Sequence, residues 1–218
     1  MASRYLQMRR RLRRDRVRWV ILIAAAAIGL AGYYGPWVPH KAAGLIVIGL
    51  DLAEYVKFLP DVIAGRVVLR REIFYLPLAA ASIGASLIAS RRATLPVWGR
   101  VLLALASIPC AAAALPPAWS PAVLLLPEFR LQVAGIALCW LLVPGTLLTR
   151  YLPDRLILAL IALLSLAAAL APAWGFLQIH AGIEALYRQV LPLGWGFWAG
   201  TVGFLAAAVF ACAEALRA

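Results

Sequence analysis

Few side chains in this sequence could do chemistry, and they fall in two places. Asp51, Glu54, Lys57 and Asp61 form the first group, with His40 just before it; His180, Glu184 and Arg188 form the second. A histidine beside a carboxylate can serve as a general acid/base pair. The chain has only two histidines, and neither stands in a metal-ligand spacing such as HExxH. His180 and Glu184 are one helical turn apart, which a solvated helix face produces equally well. Asp51, Glu54, Lys57 or Phe58, and Asp61 recur every three to four residues, so a helix would carry them on one face. The spacings predict a polar surface made of both groups and no catalytic set.

Other chemistries find no foothold. Cys110, Cys139 and Cys212 each lie inside an apolar run, where cysteine behaves as a small hydrophobe. No CxxC or Cys/His spacing occurs, so neither a metal site nor a disulfide framework is expected. No GxxxxGK[ST] loop is present to cradle a nucleotide phosphate. No cofactor is implied.

The elements that must position these residues are set by composition. Of the 218 residues, 65% are hydrophobic and 14% charged, and mean hydropathy is +0.90. A soluble domain is about 45–50% apolar and about 25% charged. The excess gathers in runs of roughly 17–25 residues, the length that crosses a ~30 Å hydrocarbon core as helix. The expected fold is an all-α integral membrane protein with six transmembrane helices, two amphipathic outer-face segments and a basic N-terminal arm.

The expected spans run over 19–34, 72–90, 96–115, 128–148, 156–174 and 193–216. Gly35-Pro36 stops the first, because proline lacks a donor and clashes with the preceding turn. Pro77 sits in the first turn of the second, where a missing donor costs little. Pro109 is expected to kink the third. Within the outer segment 35–75, residues 35–40 read as an extended turn and 40–75 as a re-entrant or interfacial helix. An alternative pairs Ile46-Val47-Ile48 with the run 66–70 as two short strands. The segment 175–192 reads as a separate helix lying along the membrane. Its ionisable groups would be costly inside a span, and a Glu184–Arg188 pair at i, i+4 would add a few tenths of a kcal/mol.

Orientation follows from charge. Eight of the 21 basic residues precede Trp19. Arg9, Arg10, Arg11, Arg13, Arg14, Arg16 and Arg18 form a block that suits the anionic lipids of a cytoplasmic leaflet rather than nucleic acid. With the N-terminus inside and six spans, inner segments carry 14 basic residues and outer segments seven. That is the positive-inside pattern. Residues 1–18 form the arm and 19–218 one membrane domain, in a cell membrane, with both termini cytoplasmic.

The spans are nearly bare of ionisable groups. Beyond Glu72 and Glu128, at the very starts of two spans, Glu214 is the one acid within them, beside Arg217 near the inner end. Gly196, Gly200 and Gly203 form a small-residue stripe that lets helices approach closely, within the chain or in another protein. Three functions stay open. The first is a non-catalytic membrane subunit of a larger assembly, such as a transport complex powered by a partner, held by other subunits or by self-association. The second is a small enzyme acting on a lipid or lipid-linked substrate at the outer interface. The third is a structural or ligand-sensing protein.

Overall fold

The structure is a computed structural model. It describes the backbone of residues 2–39, 46–91, 95–116 and 120–217, and side chains from residue 16 onward. Helix α1 spans Ala2–Tyr33. A two-stranded antiparallel ribbon follows, β1 Pro36–Val38 with β2 Val47–Ile48, and then short helices α2 Gly49–Tyr55 and α3 Pro60–Ile63. The rest is helical: α4 Leu76–Ala89, α5 Val97–Ala112, the single turn α6 Pro121–Leu124, α7 Arg130–Thr149, α8 Asp154–Tyr187 and α9 Trp195–Arg217.

Five helical stretches are long and apolar enough to cross a membrane: Arg16–Tyr33, Arg71–Ala89, Pro127–Thr149, Asp154–Tyr187 and Trp195–Arg217. This is the architecture of an all-α, membrane-embedded protein. The third expected span, 96–115, is α5, which is apolar but only 16 residues long, or about 24 Å of helix. Pro109 lies inside α5.

The N-terminal arm is continuous with the first span. No proline or glycine interrupts the sequence before Gly29, and its arginines and leucines favour helix. The side chains of Arg9, Arg10, Arg11, Arg13 and Arg14 lie outside the described residues, as does His40.

Helices α1, α8 and α9 pack most extensively, with α9 in the middle; α4 joins them to α5 and α7. The α1–α9 crossing explains the glycine stripe. A Cβ on Gly32 would stand 2.0 Å from the Gly200 nitrogen, and one on Gly203 would stand 2.4 Å from the Gly29 nitrogen. The backbones touch, which only glycine permits. The stripe's packing partner is α1 of the same chain.

Two expectations about the outer segments are corrected. Residues 175–187 are not a separate in-plane helix; they continue α8, which runs unbroken for 34 residues, about 51 Å. Nothing forces a break there. The apolar stripe Phe176, Ile179 and Ile183 is buried against Trp37, Leu52 and Phe74 of the segment that follows α1. Gly175 admits the turn at 71–75, since a Cβ there would meet Ile73 at 2.4 Å. The outer segment is therefore a cap wrapped on the projecting end of α8. Burying each large apolar side chain in it contributes about 1.5–3 kcal/mol.

Segment 40–75 also departs from the expected shape. No single interfacial helix forms among its described residues, and the strand at 47–48 pairs with 36–38 rather than with 66–70. Pro60 divides the helical stretch. Helix α2 passes into a tight turn at Val56–Phe58, and α3 starts afresh at Pro60.

Candidate functional site

The polar side chains of the cap do not form one surface. Asp51 accepts a bond from the Ile48 backbone N–H at 3.2 Å and so caps its own helix. Beyond Pro60, Asp61 turns to Arg66, whose Nε donates to it at 2.8 Å. Gly65, with φ +70°, provides the left-handed turn between them. Only Glu54 and Lys57 meet, as an i, i+3 ion pair.

Glu54 belongs to a larger cluster built around Arg71. The Arg71 side chain is only 9% exposed. Its guanidinium donates to Glu54 Oε1 at 3.0 Å, to the Glu128 carbonyl at 2.8 Å and to Gln132 Oε1 at 3.4 Å. It stacks on the Phe129 ring at 4.7 Å, and Glu72 lies 3.8 Å away. The Tyr75 hydroxyl donates to Glu54 at 3.4 Å, and Gln132 donates to the Ala114 carbonyl. One planar cation thereby ties the cap, the start of α4 and the start of α7. A guanidinium suits this task because it offers five donors and stays charged.

Beside this cluster lies a cavity of about 160 Å³ between α4, α5 and α7. Glu72, Tyr75 and Gln132 stand at its polar end, and the rest is apolar, including Leu78, Ile136 and Cys139. Of the expected outer polar residues, none lines it.

The second expected group lies on the projecting end of α8. His180 Nδ1 is 3.9 Å from Glu184 Oε1, and its ring packs edge-on to Phe176 at 5.4 Å. Glu184 accepts the Leu191 backbone N–H at 2.9 Å, closing the turn out of α8. The expected Glu184–Arg188 pair does not form. Arg188 is the C-cap of α8, with φ 54° and ψ 35°, a conformation that points the chain away from the helix axis. Asp61 approaches this end: a Cβ on Gly182 would lie 3.3 Å from its Oδ2. Nearby, burial and the Tyr187 hydroxyl push the Tyr55 phenol up to about 12.

The opposite end of the bundle holds a cluster centred on Asp154. Arg18 donates to its Oδ2 at 2.7 Å and Arg91 to its Oδ1 at 3.2 Å. Arg91 also donates to the Leu152 carbonyl at 2.7 Å, to the Thr149 carbonyl and to Ser90 Oγ at 3.0 Å. The start of the α1 span, the end of α4 and the α7–α8 link meet here. The Trp19 ring packs against Arg18 at 4.9 Å. Arg16, from the same basic block, is exposed. Glu214, buried near this end of α9, pairs locally with Arg217 at 2.7 Å.

Chemically, both clusters hold charge rather than offer it. Each carboxylate is matched to a cation or a backbone donor. Among the described residues, no three His, Cys, Asp or Glu side chains gather to hold a metal ion. Arg71, Gln132, Asp154 and Arg91 are the residues that sequence reasoning missed. Gln132 did leave a signal, as the lone carboxamide inside an apolar run. Comparison with protein-family models, curated proteins and solved structures found no match to the chain.

Proposed function

We propose that this chain is a non-catalytic membrane subunit of a larger assembly in a cell membrane, such as a transport complex powered by a partner. One observation carries the reading. Asp51, Glu54, Asp61 and Glu184 each already serve a structural bond, and none of them lines the described cavities. An enzyme acting at the outer interface would need such groups free and convergent on a substrate. The two ionic clusters instead lock the ends of the helices, as suits a rigid scaffold.

In this proposal α5 is a sixth, short span, and both termini lie on the cytoplasmic side. The arginines gathered around Asp154 support that orientation. Purification in mild detergent, with mass measured by light scattering, tests the function. A complex well above the 23.5 kDa of one chain is expected, and a monodisperse monomer overturns the reading. Single cysteines at Ser3 and Arg66, labelled with an impermeant maleimide on intact cells, test the orientation. Arg66 should label and Ser3 should not.

A further inference from the structure

We propose that a groove between α1 and α5 binds one acyl chain of an anionic phospholipid, with the headgroup held at Arg16. Both helices pack on α4 but make no extensive contact with each other. The space between them holds a cavity of about 200 Å³ in the bundle and one of about 430 Å³ nearer the arginine-rich end. They share Ile23, Leu103 and Ala106, so the groove is continuous.

Its floor is made of small residues of α4, Ala81, Gly84 and Ala85. At Gly84 a Cβ would meet nothing within 4 Å. Among the described residues, no side chain fills this depth. The lining is almost wholly apolar, and such a surface offers ordered water few polar partners. A single hydrocarbon chain fits.

The mouth specifies the headgroup. Val20, Pro96 and Trp98 line it. Trp98 is largely exposed, as suits an indole at headgroup level. Arg16, Val20, Ile23 and Ala27 follow one another at intervals of four, three and four residues. They therefore share one face of α1. Arg16, exposed, stands one turn beyond the mouth on the stripe that lines the groove. A phosphate there meets a guanidinium while its chain enters the apolar channel.

The test uses the full chain in vesicles of phosphatidylglycerol and phosphatidylcholine. Each lipid in turn carries a photoactivatable diazirine in mid-chain, and crosslinks are mapped by mass spectrometry. Phosphatidylglycerol should label Ile23, Ala27, Leu103 and Ala106. Gly84→Leu from the floor and Ala106→Phe from the wall should each abolish groove labelling, while leaving that of Leu141 and Leu148 on α7 unchanged. Arg16→Gln should lower the preference for phosphatidylglycerol about fivefold, the contribution of one basic residue at an anionic surface. No groove label in the wild-type chain, or an unchanged lipid preference in Arg16→Gln, overturns the proposal. So does a groove that labels in vesicles but not in native membranes, because a partner protein then fills it.

Discussion

The two ionic clusters solve one problem in opposite ways. At the cap, a single buried arginine, Arg71, serves several acceptors, and acidic Glu54 and Glu72 balance basic Arg71 and Lys57. At the other end, a single carboxylate serves two buried arginines. Arg18 and Arg91 are 10% and 8% exposed, while Asp154 is 43% exposed. In both places the guanidinium is inside and the carboxylate faces out. The long arginine stem packs on apolar surface while its fork reaches several oxygens. The difference is redundancy. The cap cluster sets two acids around one buried arginine; the other sets two buried arginines around one shared carboxylate.

That contrast orders the expected effects. Asp154→Ala should be the most damaging change, because it removes at once the acceptor that two buried arginines, Arg18 and Arg91, bond together. Breaking a buried pair costs 3–5 kcal/mol, and exposure of Asp154 puts this case at the low end, about 3 kcal/mol. Glu54→Ala should cost less, about 2 kcal/mol, the value of hydrogen bonds to a charged group. The Glu128 carbonyl, Gln132 and Glu72 remain for Arg71. Thermal unfolding in one detergent ranks the two, and a larger loss for Glu54→Ala would reverse the comparison.

Smaller effects sharpen it. Lys57→Ala and Arg66→Ala remove partly or largely exposed partners, and each should cost no more than about 1 kcal/mol. Alkaline pH separates the two ends without mutation. Tyr55 in the folded cap titrates at about 12 rather than 10. Between those values the unfolded chain has lost a proton that the folded cap retains, so cap stability falls as pH rises through that window. The Asp154 cluster is built from arginines and an aspartate and holds no phenol. Two variants, each keeping one tryptophan, report on this. Trp37 emission in the cap should shift before Trp19 emission does; simultaneous shifts would show that the ends are not independent.

What was legible in the sequence was whatever depends on near neighbours. Apolar runs of sufficient length located the five long spans, and Gly35-Pro36 and Pro77 marked real boundaries. Pro60 also carried a readable stop, outweighed by the three-to-four spacing of Asp51, Glu54 and Asp61. Gly196, Gly200 and Gly203 announced close packing but not its partner, because Gly29 and Gly32 lie at the other end of the chain. The Arg71 cluster was illegible for the same reason. Its acceptors are 17, 57 and 61 residues away, beyond any periodic pattern. The continuity of α8 was misread through a sound rule applied in the wrong medium. Ionisable groups are costly in hydrocarbon, but His180 and Glu184 sit where the helix packs on protein.

The brevity of α5 has a consequence for the membrane itself. In the six-span arrangement, α5 offers about 24 Å of helix to a hydrocarbon layer of ~30 Å. Such hydrophobic mismatch is met by thinning the bilayer locally, at a fraction of a kcal/mol per ångström. In that arrangement the lipids beside α5 are compressed. A protein that compresses its surroundings in this way partitions toward thinner membranes and toward neighbours that share the deformation.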